Sequence, residues 1–296
     1  CMRDYLGHRS RVQQAVDVLS ARLRRPGAAR RAAAGLLGHR VDGLFRVGPG
    51  DVAALPGRAA EVAGRAASIV RLVELAALYD LPVEPATWAA VRDAASMLPR
   101  EPDAAATAAF LDLFARPAGL AAALRKLHEA GVLEILVPPF AHARHLLQFN
   151  NYHKYTVDEH SIRAVEHAAA FATDDGWLGD AWLELPRRRP LLLALLLHDL
   201  GKGFEEDHSV LGARLARDVA AGLGLPANEA EIVEFLVRHH LAMAHLAFRR
   251  DSGDEGIVVG FAREVGSPEV LRMLALLTAA YVAAVGPGTW NRWKAD

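Results

Sequence analysis

An apolar run that ends on two ionisable side chains constrains the fold of this chain more than any other feature. The segment PLLLALLLHD, residues 190–199, has Leu or Ala at every position from 191 to 197 and then His198 and Asp199. A helix that is apolar on every face must be buried, because only an interior position removes all of that surface from water. An unpaired charge there costs on the order of several kcal/mol. His198 and Asp199 are therefore neutral, hydrogen-bonded or bound to a cation.

Charge and cysteine content exclude several classes of function. The 34 Lys and Arg residues against 35 Asp and Glu give a net charge of -1, so the chain lacks the basic excess that nucleic-acid backbones attract, and we expect no nucleic-acid partner. The single cysteine, Cys1, allows neither an internal disulfide nor a zinc site built from several thiolates. The apolar stretch Met273–Val285 is too short to span a bilayer. We expect no membrane partner and a cytoplasmic location.

Helical periodicity dominates the chain, and the predicted fold class is all-α. Apolar residues recur at three- and four-residue steps, while no segment shows the alternation of a convincing strand. Two short apolar pieces, residues 43–47 and 132–137, are bounded by Gly or Pro and are predicted to be extended connectors. The predicted helices are Ala59–Tyr79, Pro85–Met97, Ala104–Phe114, Ala118–Ala130, Asp158–Phe171, Pro190–Leu200, Ser209–Gly222, Ala227–Met243 and Pro268–Val285.

Start signals support two of these helices. Thr156 and Glu159 have the spacing of a capping box, in which each side chain bonds the backbone amide of the other residue. Ser267 precedes Pro268, which is suited to the first turn of a helix. We expect the corresponding helices to begin at these positions.

The distribution of histidines divides the chain. Ten of the thirteen histidines lie between His142 and His245, whereas the first part is a helical array rich in Ala, Arg and Leu. We therefore predict a helical linker region over residues 1–140 and a second domain over residues 141–296. The chain starts Cys-Met-Arg-Asp, and we expect it to be a segment of a longer protein.

Ligand-type side chains lie at the ends or starts of four predicted helices, which is how metal sites are assembled in helical bundles. A divalent cation would offset the cost of burying His198 and Asp199. The candidate ligands are His160, His198, Asp199, His208, His239 and His240. A single histidine is more often a capped or partly exposed side chain, and we interpret five others in that way: His8, His39, His128, His142 and His145.

Four motifs in the second part resemble a known family of hydrolases. His160, then HDxGK, His208 and the paired histidines resemble the HD-domain superfamily of metal-dependent phosphohydrolases. More narrowly, the chain resembles the central region of bifunctional uridylyltransferase/uridylyl-removing enzymes, which modify the PII nitrogen-regulatory protein. The motifs are YHKYTVDEHSIRAVEH (152–167), HDLGKGFEEDHSVLGA (198–213), VRHHLAMAHLAFRRD (237–251) and LLTAAYVAAVGPGTWNRWK (276–294). Upstream, FLDLFARPAGLAAALRKLHEAGVLEILVPPF (110–140) extends the resemblance into the first part.

The resemblance implies a fold and an activity. It implies a helical bundle of the HD type, preceded by a helical linker and belonging to a parent that also carries a nucleotidyltransferase domain and ACT repeats. The activity that it implies is metal-dependent removal of UMP from uridylylated PII protein, as part of nitrogen and glutamine sensing. The ion would be Mn, Fe, Zn or Mg, with one or two ions bound.

The resemblance also implies roles for individual residues. For a first cation it implies three ligands: His160, His198 and Asp199. For a second cation it implies that Asp199 is shared with three histidines: His208, His239 and His240. It implies catalytic roles for Asp199 and Lys202, the latter on a phosphate oxygen, and substrate-binding roles for Arg249 and Arg250. For Lys202 and the two arginines, a solvated charge at a helix end is the open alternative.

The chain departs from the family at one ligand position. Members carry an Asp in a segment of the form LLT-x-A-D, where this chain reads LLTAAY with Tyr281. Leu274, Thr278 and Tyr281 lie on one helix face, so Tyr281 is expected to point inward. Three outcomes stay open: hydrolysis with the second metal alone, a hydrogen bond from Tyr281 to the site water, or an inactive regulatory module. A phosphohydrolase acting on a nucleotide is a further alternative.

Overall fold

The computed structural model describes residues 2–9, 12, 16, 38–147, 155–248 and 255–286. Its residues group into two compact units, Cys1–Pro138 and Pro139–Asp296, each with its own apolar core. The division predicted from the sequence, with a boundary between residues 140 and 141, stays a prediction that separate expression of the two parts would test.

In the first unit a small antiparallel sheet precedes a helical array. The strands pair in the order β1-β2-β3 and are β1 His39–Val41, β2 Phe45–Val47 and β3 Val52–Ala54. The helices are α1 Ala59–Ala63, α2 Ala66–Leu78, α3 Pro85–Ala94, α4 Ala104–Leu113, α5 Leu120–Ala130 and α6 Leu133–Leu136. Helix α2 packs against α4 and α5 through residues spaced three and four apart, among them Ile69, Leu72 and Val73.

Three expectations for this unit were wrong in detail. Strands are present, but each has only three residues, too few for alternation to be recognised in the sequence. Residues 132–137, expected to be extended, contain helix α6, in which the amide of Val137 bonds the carbonyl of Leu133 at 2.7 Å. The helix predicted over residues 59–79 is broken, because Arg65 adopts an extended backbone conformation between α1 and α2.

The second unit is all-α in its described residues. Its helices are α7 Phe140–Ala143, α8 Val157–Ala170, α9 Trp177–Leu183, α10 Arg189–Leu197, α11 His208–Gly222, α12 Ala227–Arg238, α13 Ala242–Phe248, α14 Glu255–Val265 and α15 Pro268–Ala284. No single helix in the described ranges has both the length and the apolarity to span a membrane, although the bent pair Val259–Val265 and Pro268–Ala284 meets these criteria jointly. The all-α fold class predicted from the sequence is confirmed.

Helix α10 is the centre of the second unit. Every side chain from Leu191 to Leu197 has an exposed fraction of 0%. The helix packs against α8, α11, α12 and α15, which surround it. The apolar run therefore has the interior position that its composition requires, and the residues that follow it enter the interior as well.

The helix starts differ from the predicted capping. Thr156 is the N-cap of α8, but among the described residues its side chain accepts no capping hydrogen bond. Instead, the carboxylate of Asp158 accepts hydrogen bonds from the amides of His145 at 2.8 Å and Glu159 at 2.9 Å. Ser267 likewise makes no side-chain cap, while Pro268 occupies the first turn of α15 as expected.

Candidate metal centre

His198 and Asp199 follow directly on the last residue of α10. Their side chains are 1% and 3% exposed, so the chain carries both polar groups into the core. A close approach of the following loop to α11 is possible because residue 201 is Gly: a Cβ there would collide with the backbone carbonyl of His208. This packing brings the first residue of α11 next to Asp199.

Two groups of potential ligands share the Asp199 carboxylate. In the first group, Oδ2 of Asp199 lies 3.5 Å from Nε2 of His160 and 3.3 Å from Nε2 of His198. In the second group, Oδ1 lies 3.7 Å from Nε2 of His240, and His208 completes the set. Within each group the potential ligand atoms lie within 4.8 Å of one another. One carboxylate thus faces four imidazoles drawn from four parts of the second unit.

The imidazoles are oriented as metal ligands are. Nδ1 of His198 and Nδ1 of His240 donate hydrogen bonds to the carbonyls of Leu195 and Val237, each at 2.8 Å. A carbonyl only accepts, so each Nδ1 carries a hydrogen, and in the neutral ring of His240 the Nε2 atom then presents its lone pair to Asp199. Nε2 of His208 and Nε2 of His240 are buried without a hydrogen-bond partner among the described residues. Such atoms are costly unless something binds them, and a divalent cation fits this set.

The electrostatics favour the ligand forms of these groups. Burial lowers the pKa of His160 and the pKa of His240 to about 3, so both rings are neutral near pH 7. Burial alone would raise the pKa of Asp199, but His198 and Lys202 hold it well below its usual range. The neutral rings of His160 and His240 and the ionised carboxylate of Asp199 are in the protonation states in which such side chains bind a metal.

A comparison with known families identifies the domain that carries these two ligand groups. The family described as HD domain matches residues 157–276, which include both ligand groups. Residues 157–276 form an HD domain. The HD-type fold expected from the motifs is thereby confirmed.

Bifunctional uridylyltransferase/uridylyl-removing enzymes from several bacteria are similar to this chain. The enzyme of Cereibacter sphaeroides is 45% identical over 204 residues, which is 66% of this chain and 21% of the relative. Those of Caulobacter vibrioides and Azospirillum brasilense are 42% and 40% identical over 236 and 239 residues, in each case 77% of this chain and 25% of the relative. The resemblance predicted from the sequence is confirmed, and the chain spans about a quarter of the length of these relatives. The HD domain and these relatives support a metal-dependent hydrolase of the HD type.

Lys202 lies at the edge of the HD-domain site. Its Nζ is 2.8 Å from Oδ2 of Asp199, and its side chain is 13% exposed. The backbone amide of Lys202 bonds the Asp199 carbonyl at 3.0 Å, which closes the turn after α10. The ammonium therefore lies beside the carboxylate and is partly accessible to solvent.

His239 lies outside both ligand groups of the HD domain. Its Nδ1 is 3.2 Å from Oε1 of Glu264, and its ring stacks on Phe235 with centroids 4.4 Å apart. Consecutive residues at a helix end point in different directions, so only one of the pair can face Asp199, and that residue is His240. Among the predicted substrate-binding residues, Arg249 and Arg250 lie outside the described residues.

Tyr281 lies against the ligand groups. Its side chain is on α15 and 8% exposed, with the ring centroid 5.8 Å from that of His198 and 6.0 Å from that of His240. Burial, together with the charge of Asp199, raises the pKa of the phenol above its usual value. Tyr281 is therefore a neutral phenol near pH 7, and a neutral phenol is a poor metal ligand.

Sequence reasoning missed two residues that shape the surroundings of the site. Asp158 was considered only as the first residue of a predicted helix, yet its buried carboxylate accepts a hydrogen bond from the amide of His145. His142 was interpreted as a partly exposed side chain, yet its Nε2 lies 3.1 Å from the carbonyl of Lys202. A contact across 60 residues leaves no local pattern in the sequence from which it can be predicted.

We expect the metal-free protein to lose stability as pH falls from about 6.5 towards 5. Burial lowers the pKa of His160 and of His240 to about 3 in the folded protein from the ordinary histidine value of 6.5, so the unfolded chain binds more protons in this interval. The free energy of unfolding should therefore be highest above pH 6.5 and, well below it, fall by about 1.4 kcal/mol per pH unit for each such histidine. Urea denaturation of chelated protein between pH 7.5 and 5 measures the slope.

The matched control for this slope is His240→Gln, which keeps a polar side chain but cannot titrate. The slope of its free energy of unfolding against pH should be smaller by about 1.4 kcal/mol per pH unit, which is the contribution of one titrating histidine. Equal slopes for the two proteins would contradict the neutral, buried state assigned to His240.

Proposed function

We propose that this chain hydrolyses a phosphodiester in a metal-dependent reaction, and that its parent protein thereby removes UMP from uridylylated PII protein. The observation that carries the proposal is the Asp199 carboxylate that lies within reach of two groups of imidazoles. The name of the relatives, which are uridylyl-removing enzymes, supports the choice of substrate.

The two groups define which residues would hold metal ions. We propose that one ion is held by His160, His198 and Asp199, and a second by Asp199, His208 and His240. When bound, such an ion lowers the pKa of its water towards about 7 and offsets the negative charge of the phosphate. Imidazole nitrogens with one carboxylate suit Mn, Fe or Zn better than Mg, which prefers oxygen ligands.

The remaining task of the protein is to hold and orient the phosphodiester. We propose that the Lys202 ammonium, which lies 2.8 Å from Oδ2 of Asp199, donates a hydrogen bond to a phosphate oxygen. We propose the same role for Arg249 and Arg250. We propose that the UMP is carried on a tyrosine of the PII protein, so that the leaving group is a phenolate whose conjugate acid has a pKa of about 10 and whose departure needs little assistance. The site therefore serves chiefly to activate and aim the attacking water.

Tyr281 favours a second candidate function. A neutral phenol beside His198 and His240 supplies no negative charge to the first group, which weakens metal binding there. An HD module of low activity that transmits a regulatory signal within its parent would tolerate this residue. The two functions share a fold and differ in whether the chain turns over a phosphodiester.

Metal analysis combined with hydrolysis assays separates these functions. We expect purified protein to contain a transition metal and to hydrolyse both bis(p-nitrophenyl) phosphate and uridylylated PII protein, with both activities lost on chelation and restored by Mn or Zn. Metal with no turnover would support the regulatory module. Turnover of free nucleotides but not of uridylylated PII would instead indicate a nucleotide phosphohydrolase and contradict the proposed substrate.

A further inference from the structure

His142 contacts the loop that carries Lys202. It lies in the short helix α7, and its Nε2 is 3.1 Å from the backbone carbonyl of Lys202. Because a carbonyl only accepts, Nε2 carries a hydrogen and donates it. The imidazole also stacks on Phe204, with ring centroids 4.0 Å apart and planes inclined by 27°. One side chain thus bonds the backbone of one loop residue and covers the ring of another.

The loop residue between these two contacts is packed just as closely. Gly203 has a φ of +86°, and a Cβ there would lie 2.9 Å from Cδ2 of Leu146 and 3.0 Å from Nε2 of His142. Only glycine combines that backbone conformation with such an approach. Residues 202–204 therefore pack as a unit against residues 140–146. We call residues 140–146 the brace.

The brace is also fixed to the helix that carries His160. The amide of Val157, the first residue of α8, bonds the carbonyl of Leu146 at 2.8 Å. The amide of His145 bonds the buried carboxylate of Asp158, also at 2.8 Å. The brace thus connects the start of α8, the helix that carries His160, with the loop after Asp199.

We propose that His142 is a positioning residue for Lys202. Its hydrogen bond to the Lys202 carbonyl and its stacking on Phe204 hold the loop against the brace, which keeps the Lys202 ammonium beside Asp199 and directed towards the phosphate. This inference rests on the proposed function, because the positioned ammonium acts on the phosphodiester. His142 belongs to neither ligand group, and it acts through Lys202.

Two substitutions and a double-mutant cycle test this role. His142→Phe keeps an aromatic ring for Phe204 but loses the donor, and we expect kcat/KM for bis(p-nitrophenyl) phosphate to fall about tenfold, the range for lost supporting contacts. His142→Gln keeps an N–H donor and should restore most of the rate. In a Lys202→Ala background, His142→Phe should have no further effect, because its consequence passes through the lysine. His128→Phe, at a half-buried histidine in the first unit, is the matched control and should leave kcat/KM unchanged.

Hydrogen–deuterium exchange gives a readout that does not depend on activity. We expect residues 200–206 to exchange faster in His142→Phe than in wild type or His142→Gln, with unchanged metal content. Unaltered exchange in His142→Phe, or an equal loss of kcat/KM in the presence and absence of Lys202, would overturn the role proposed for His142. If wild-type protein does not hydrolyse phosphodiesters, the proposed function fails, and exchange alone decides whether His142 holds the loop.

Discussion

Replacing Asp199 by Asn is expected to remove bound metal and hydrolysis together. The two carboxylate oxygens face different groups: Oδ2 lies 3.3 Å from His198, and Oδ1 lies 3.7 Å from His240. Loss of a supporting partner outside the ligand set already costs about ten- to a hundredfold in metal affinity or activity. Loss of a charge shared by both groups should therefore lower affinity by more than about a hundredfold. Metal content by mass spectrometry and kcat/KM for bis(p-nitrophenyl) phosphate measure the two effects.

Asp180→Asn is the matched control, because Asp180 is an exposed carboxylate on α9. It should keep the metal content and the rate of wild type. Asn has nearly the same size as Asp, so Asp199→Asn should fold, which thermal unfolding would verify. Asp199→Asn protein that kept its full complement of metal would refute the shared-carboxylate arrangement. Loss of metal with undiminished hydrolysis would instead contradict the proposed mechanism.

The parts of the fold that could be predicted are those in which many consecutive residues indicate the same structure. Seven consecutive buried aliphatic residues leave α10 no position other than the interior, and α15 and α11 show periodicity over four turns. The strands could not be recognised as strands, because three residues are too few to establish alternation, although residues 43–47, expected to be extended, do include β2. Nor could the break at Arg65, since its neighbours continue the helical periodicity across it.

The candidate site shows the same limit at the scale of single side chains. Motifs were sufficient to select the residues that meet at Asp199, and their role as ligands stays a prediction. The choice between His239 and His240 depends on where α12 ends, because each residue changes the side-chain direction by about 100°. The predicted helix ran through Met243, whereas α12 ends at Arg238, so the sequence could not determine which ring faces inward.

Tyr281 raises the question of what the site gains or loses at that position. The ring is 8% exposed and lies beside two candidate ligands, His198 and His240. Its raised pKa keeps the phenol protonated, so it adds no negative charge to offset that of a divalent cation. A carboxylate in its place would add such a charge, but close to Asp199 it would repel the existing one unless a cation lay between them.

Tyr281→Asp should therefore weaken the metal-free protein and strengthen the metal-bound one. We expect a lower Tm after chelation, a larger rise in Tm with added Mn or Zn, metal affinity higher by about ten- to a hundredfold, and faster hydrolysis of bis(p-nitrophenyl) phosphate. Tyr281→Phe is the control, since it removes the hydroxyl without adding charge, and it should gain no affinity. If Tyr281→Asp retained metal no better than Tyr281→Phe, residue 281 would not lie within reach of the ion, and the family's ligand position would not apply to this chain.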